Sequence, residues 1–173
     1  MANWCTNFIE FTGKEENIIN LSKFVKEAIE RQTITQEGQM INHMNTFVDG
    51  YFFNIDNLHV ESNWLSFQYE SRWTPNIEDC KLLGQQFELN FEIEYEEMGN
   101  CYYGKQKYEW ETDQLYIKEL THTDFDEASY FVNNNTDETK LILDDNDDPE
   151  GYYTDYDMEK LNELLNEYEW IEF

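Results

Sequence analysis

The segment from Phe87 to Glu96 is the most regular alternation of apolar and polar residues in this sequence. Successive side chains of a β-strand point to opposite faces of a sheet, so a period of two predicts a strand with one buried and one polar face. The buried face would carry Phe87, Leu89, Phe91, Ile93 and Tyr95. The other face would carry Glu88, Asn90, Glu92, Glu94 and Glu96, which makes it a row of acids.

Two helices and further strands are predicted around this segment. Apolar residues at spacings of three and four indicate an amphipathic helix, and a proline often stands just before a helix begins. In chain order we predict a strand at 3–11, a helix at 14–31, an insertion at about 32–63 with a short strand at 51–55, a strand at 64–70, a helix at 76–86, the alternating strand, and strands at 106–111 and 114–119.

This order of elements predicts the fold class. It is close to the split βαβ order, so we expect an α+β fold with a ferredoxin-like antiparallel sheet and helices on one face. The core would span residues 1–118. Residues 119–173 hold 18 acids against two lysines and predict an acidic C-terminal extension packed on the core. Apolar residues at helical spacing after Asp157 predict that the extension ends in a helix.

The charge of the chain excludes several classes of function. Eleven Lys and Arg against 38 Asp and Glu give a net charge of −27. Direct binding to nucleic acid or to an anionic membrane is therefore not expected. No apolar stretch approaches the roughly 20 residues that a membrane helix needs. Three cysteines at wide spacings, without a CxxC pair, favour a reducing compartment, and we predict the cytoplasm of a host cell.

No motif in the sequence predicts catalysis. His43, His59 and His122 lie far apart and have no Ser/His/Asp or Cys/His context, so we predict no catalytic residue, no metal ligand and no cofactor. One alternative stays open, an enzyme with a pocket near Trp4, Arg72 and Trp73.

A second alternative is a cation-regulated accessory protein, because the segment from Asp144 to Gly151 is rich in aspartate, and oxygen ligands suit calcium. The spacing does not fit a calcium loop, since Pro149 stands where the turn requires glycine. The sequence does not decide whether this loop binds calcium.

Three sequence motifs resemble those of the YubB-like ferredoxin-fold family, which is found on conjugative plasmids, phages and other mobile elements. They are the opening Asn3-Trp4-Cys5-Thr6-Asn7, the segment Leu65-Ser66-Phe67-Gln68-Tyr69-Glu70-Ser71-Arg72-Trp73-Thr74-Pro75, and Glu94-Tyr95-Glu96-Glu97-Met98-Gly99 with Tyr103-Gly104. The resemblance covers about residues 1–118 and implies a ferredoxin-like fold. It implies no reaction, and no catalytic residue is carried over.

Acidic rows interleaved with aromatic residues favour protein binding, since aromatics anchor interfaces and carboxylates attract basic grooves. We predict a non-catalytic phage or mobile-element protein that inhibits a basic nucleic-acid-handling host defence protein, such as a CRISPR effector or a restriction enzyme. Inhibition of this anti-CRISPR or anti-restriction type would act by nucleic-acid mimicry or by perturbing guide binding. The residues expected to bind the partner are Glu92, Glu94, Glu96, Tyr102, Tyr103, Asp144, Asp145, Asp147, Asp148, Tyr152 and Tyr153.

Overall fold

The computed structural model describes the backbone of residues 3–30, 33–35, 38–41, 52–133, 139–141 and 152–173, and the side chains of residues 3–30, 52–129 and 155–173. Its elements are, in chain order, β1 (Trp4–Thr12), α1 (Glu15–Glu30), β2 (Thr33–Thr35), β3 (Gly38–Ile41), β4 (Phe52–Val60), β5 (Trp64–Arg72), α2 (Ile77–Phe87), β6 (Asn90–Glu97), a 3₁₀ helix (Met98–Asn100), β7 (Tyr102–Glu109), β8 (Gln114–Glu119), α3 (His122–Ala128), β9 (Ser129–Asn133), β10 (Thr139–Leu141), β11 (Tyr152–Tyr156), α4 (Met158–Glu167) and β12 (Ile171–Glu172).

The chain divides into two compact units. The first unit consists of Met1–Lys118 with Trp170–Phe173, and the second of Glu119–Glu169. In the second unit, β9 lies between β10 and β11. The backbone N–H of Lys160 donates to the side chain of Asp157, which caps α4 at the position where the sequence predicts the helix to begin. The packing of the acidic extension on the core stays a prediction.

The sheet of the first unit has the strand order β12-β8-β7-β6-β1-β5-β4-β3-β2. Its central strands β6-β1-β5-β4 are the fourth, first, third and second strands of a βαββαβ unit, and β1 is antiparallel to both neighbours. This is the ferredoxin-like order, so the predicted fold class is confirmed.

One apolar core joins the sheet to α1 and α2. It includes Leu21 and Val25 of α1, Leu83 of α2, and Ile9 and Phe67 of the sheet. The buried and exposed residues of β1 alternate, because consecutive side chains point to opposite faces of the sheet. One face of these strands is therefore packed against the helices.

The start of the alternating strand is predicted wrongly. Phe87 is the last residue of α2, and Glu88 ends the helix in the left-handed conformation with φ 53°. The N–H of Leu89 donates to the carbonyl of Gly84, a bond that closes the helix, and β6 begins only at Asn90. An alternation over only three residues, here 87–89, does not distinguish the start of a strand from the end of a helix.

The range treated as an insertion contains β4, a longer strand than the short one predicted at 51–55. β4 pairs with β5, but its register shifts twice, between Phe53 and Asp56 and between Asp56 and His59. Asn54 and Asn57 have positive φ at the shifts. Each β-bulge resets the alternation, so the strand has no continuous period of two that a sequence pattern would detect.

We expect the contribution of Asp113 to stability to depend on pH. Gln85 Nε2 and the Tyr108 hydroxyl each donate to Asp113 Oδ1 at 2.9 Å, and Lys81 Nζ lies 3.3 Å from it. The bond from Gln85, then those from Tyr108 and Lys81, lower the pKa of this carboxyl below its ordinary value. A lowered pKa stabilises the fold above the unfolded value of about 4, and this contribution is lost as the pH falls through the folded-state pKa.

The variant that tests this contribution is Asp113→Asn. Asparagine keeps the side-chain oxygen that accepts from Gln85 and tolerates the positive φ of 56° at this position. We expect the variant to melt at a lower temperature than the wild type at pH 7. The difference should close as the pH falls below about 4. A difference that stays constant from pH 7 to pH 3 would show that the charge of Asp113 does not contribute.

Candidate functional site

The face of the sheet opposite α1 and α2 carries an acidic row. On β6, Phe91, Ile93 and Tyr95 are buried, so Glu92, Glu94 and Glu96 point to the other face. Glu10 of β1 lies directly opposite Glu92 in the pairing of β1 with β6. We call the surface formed by Glu10, Glu92, Glu94 and Glu96 the acidic face.

An exposed aromatic residue lies among these acids. Phe8 follows the buried Asn7 and precedes the buried Ile9, so its ring is on the acidic face, and 42% of the residue is exposed. It pairs with Glu94 of β6 on one side and with Gln68 of β5 on the other. An exposed large apolar side chain inside a charged surface is a feature of protein interfaces.

The carboxylates of the acidic row differ in their partners. Lys105 Nζ lies 2.7 Å from Glu94 Oε2, and the hydroxyl of Tyr103 donates to Glu94 Oε1 at 3.0 Å. Glu94 therefore has a counter-ion and a hydrogen-bond donor within the chain. Glu92 is exposed and faces Lys107 in the strand pairing. The ammonium of Lys107 lies 4.5 Å from the centre of the Tyr116 ring, a cation–π contact.

Glu96 has a different environment. It is half-buried, and no hydrogen bond or ion pair reaches its carboxylate from the residues that the structure describes. Burial raises the pKa of Glu96, and the nearby charge of Glu94 raises it further. A half-buried carboxylate without a counter-ion is stabilised by a cation that arrives from outside.

Two hollows lie on the acidic face. One of about 160 Å³ is lined by Thr6, Phe8, Gln68, Glu94, Tyr95, Glu96 and Tyr103. The second, of about 220 Å³, is lined by Glu10, Thr12, Asn90, Phe91, Glu92, Lys107, Tyr108 and Glu109. Both hollows run along the same three strands, β1, β6 and β7, so the acidic face is grooved rather than flat.

The structure brings only part of the predicted site together. Glu92, Glu94, Glu96 and Tyr103 share the acidic face. Tyr102 pairs with the buried Glu97, so it belongs to the other face of the sheet. Asp144, Asp145, Asp147 and Asp148 lie outside the described residues, and Tyr152 and Tyr153 belong to β11, where only the backbone is described.

At the place of the alternative pocket near Trp4, Arg72 and Trp73, the structure shows a cluster of Arg72 with two aromatic rings, and the pocket itself stays a prediction. The guanidinium of Arg72 lies 5.3 Å from the ring centre of Phe53 and 6.0 Å from that of Trp4. The two rings meet edge to face at 4.9 Å. Trp73 follows β5 with φ 67° and is 49% exposed.

The motif Asn3-Trp4-Cys5-Thr6-Asn7 supplies a buried hydrogen-bond network. Asn7 Nδ2 donates to the Ser71 hydroxyl and to the Cys5 carbonyl, both at 2.9 Å. Burial raises the pKa of the Cys5 thiol to about 12, and that of Cys80 likewise. A thiol with so high a pKa is a poor nucleophile at neutral pH. The motif therefore ties β1 to β5 and the turn that follows it.

No three His, Cys, Asp or Glu side chains of the described residues meet in a way that could hold a metal ion. Within the same described ranges, no helix has the length and apolar character needed to span a membrane.

The comparison with protein families decides the affiliation of the chain. The family model described as "Ferredoxin-like domain in Api92-like protein" matches residues 50–143. The chain belongs to this family. The match agrees with the ferredoxin-like fold that the resemblance to YubB-like proteins implies, although the model names Api92-like proteins and begins at residue 50. No curated protein and no solved structure matches the chain significantly.

Sequence reasoning missed Lys105, Lys107 and Phe8 of the site in this Api92-like chain. A signal for the two lysines was present, because residues two apart in a strand share a face, but the predicted strand begins at residue 106 and leaves out Lys105. Phe8 is adjacent to Ile9, and sequence alone does not show which of two neighbouring apolar residues is buried. The pairing of β1 with two strands settles the choice.

Proposed function

We propose that this protein is a non-catalytic inhibitor from a phage or another mobile element, and that its acidic face docks on a basic, nucleic-acid-handling host protein. The observation that carries the proposal is the exposed ring of Phe8 among the carboxylates of the acidic face. The ring supplies an apolar anchor, and the carboxylates supply charge complementary to a basic channel.

The spacing of the acids supports a particular mode of competition. Carboxylates at i and i+2 on a strand stand about 6.6 Å apart, whereas one DNA strand carries a phosphate per roughly 3.4 Å. A single row is thus sparser than a phosphate backbone. Glu10 on the neighbouring strand adds to the negative electrostatic field of this row. The acids together do not reproduce the shape of a duplex. We therefore propose occlusion of a nucleic-acid channel rather than imitation of a duplex.

The charge of the whole chain supports the same class of partner. A net charge of −27 repels nucleic acid and accelerates encounter with a basic surface at low salt. CRISPR effectors and restriction enzymes have positively charged channels of this kind. A partner of this class would lose its nucleic acid when the inhibitor binds.

The experiment is a pull-down from nuclease-treated host lysate with the tagged protein. It is carried out at about 0.15 M and about 1 M salt, where exposed charges are screened over about 8 Å and about 3 Å. The retained protein is then purified and tested for competition between the inhibitor and labelled nucleic acid. We expect a basic nucleic-acid-binding protein that is retained at low salt and released at high salt.

The variant that tests the acidic face is Glu10→Gln with Glu92→Gln. We expect its affinity for the purified partner to fall roughly five- to thirtyfold, since two exposed charge pairs contribute up to about 1 kcal/mol each. Glu16→Gln with Glu30→Gln removes the same charge from the exposed side of α1 and should leave the affinity within about twofold.

Two results would contradict the proposal. Equal losses in both double variants would show that only the net charge matters, not the acidic face. A partner that binds nucleic acid and inhibitor at the same time would exclude occlusion.

A further inference from the structure

The hollow around Thr6 arises from the length of neighbouring side chains. Thr6 lies on the acidic face between Glu96 of β6 and Glu70 of β5, and Phe8 follows it on the same face. Threonine is shorter than each of these residues, so a depression of about 160 Å³ remains above it. The backbone of two paired strands forms its floor, and the floor is therefore rigid.

The walls of this hollow combine aromatic and carboxylate groups. Phe8 offers an exposed ring, and Tyr103 lies on the other side. Glu94 is already paired with Lys105, whereas Glu96 receives no bond from the described residues. Gln68 Oε1 accepts from Asn57 Nδ2 at 2.6 Å, which holds that wall in place. The hollow thus presents one uncompensated negative charge beside an aromatic ring.

We infer that this hollow binds the guanidinium group of an arginine side chain of the protein partner. A guanidinium is planar, stacks on aromatic faces and forms paired hydrogen bonds with a carboxylate. It is also more weakly hydrated than an ammonium, so entry into a half-buried site costs less. An anion is repelled by Glu96, and an apolar side chain would leave that carboxylate without a partner.

This inference rests on the proposed function and deepens it, because it names the group of the basic partner that anchors to the acidic face. The direct test needs no partner protein. Acetyl-arginine-amide is titrated into the labelled protein, and backbone amide shifts are followed by NMR. We expect saturable shifts at Thr6, Phe8 and Glu96, and much weaker shifts with acetyl-citrulline-amide, which has a similar shape but no charge.

Two variants change the hollow in different ways. Glu96→Gln removes the charge, and Thr6→Leu fills the space above the floor while the charge stays. Each should weaken arginine binding by roughly ten- to one hundredfold, because a charged hydrogen bond contributes about 1.5–3 kcal/mol. Glu96→Gln removes the charge from this bond, and Thr6→Leu keeps the guanidinium from reaching it. The control is Glu16→Gln, which removes an exposed carboxylate of α1 outside the acidic face and should change the binding less than threefold.

The outcomes separate this inference from the proposed function. If arginine binding is saturable and is lost in both variants, the hollow is an arginine site. If acetyl-citrulline-amide or acetyl-lysine-amide binds as well, or if Glu16→Gln weakens binding as much as Glu96→Gln, the inference is wrong. A salt-sensitive partner that binds Glu96→Gln and wild type equally overturns the arginine site but leaves the proposed inhibitor function standing.

Discussion

Replacing Phe67 with alanine is expected to lower the free energy of unfolding of the first unit by about 3–5 kcal/mol. Phe67 is fully buried in the third strand of the ferredoxin-like order. Its ring packs against those of Phe11 at 6.3 Å, Phe52 at 6.4 Å and Tyr69 at 5.7 Å. The substitution removes the ring from the middle of an aromatic layer, and the paired strands cannot close the cavity that remains.

The measurement is denaturant unfolding followed by tryptophan fluorescence, because Trp4, Trp64, Trp73, Trp110 and Trp170 all belong to the first unit. Phe67→Leu is the matched control, since leucine fills most of the volume and should cost about 1 kcal/mol. A loss below about 1 kcal/mol for the alanine variant would mean that the aromatic layer is not tightly packed.

Gly104→Val is expected to destabilise the first unit by about 3 kcal/mol. A Cβ atom at this position would lie 2.6 Å from the carbonyl oxygen of Lys118 and 2.7 Å from the hydroxyl of Tyr95. The first of these is backbone of the neighbouring strand, so β7 and β8 would have to separate. Glycine is therefore required at position 104, because the backbone of Lys118 and the side chain of Tyr95 leave no room for a Cβ atom.

The substitution of Gly104 should also disturb the acidic face. Gly104 lies between Tyr103 and Lys105, and both of these residues bond to Glu94. We expect the Gly104→Val protein to show shifted amide resonances along β6 even at temperatures where it remains folded. Thr12→Val is the control at a half-exposed position of the same sheet and should change stability by less than about 0.5 kcal/mol. Unchanged stability of Gly104→Val would show that β7 and β8 accommodate a side chain here.

Local patterns were sufficient to predict part of the fold. The amphipathic spacing of α1 gave its limits to within one residue, because a helix that packs on a sheet buries one stripe of side chains. The order of strands and helices gave the ferredoxin-like class for the same reason. Only the first part of β4 was predicted, as the short strand at 51–55, since bulges at Asn54 and Asn57 break the alternation on which a strand prediction depends.

The candidate site was predictable only as a row of acids. Alternation placed Glu92, Glu94 and Glu96 on one face, and the structure places them there. Tyr102 and Tyr103 were grouped with them, although consecutive residues of a strand point to opposite faces, and only Tyr103 joins the acids. Whether the paired aspartates after Leu143 contribute to binding stays a prediction.

The sequence by itself determined that one strand has an apolar face and an acidic face, because the direction of a side chain on a strand depends only on its position along the backbone. The tertiary structure alone decided which carboxylate is available. Strand register brings Lys105 opposite Glu94 and Tyr103 opposite Glu96, and it sets the short Thr6 beside them on β1. Charge pairing and the hollow depend on distances between side chains of different strands, and only the pairing of those strands defines these distances.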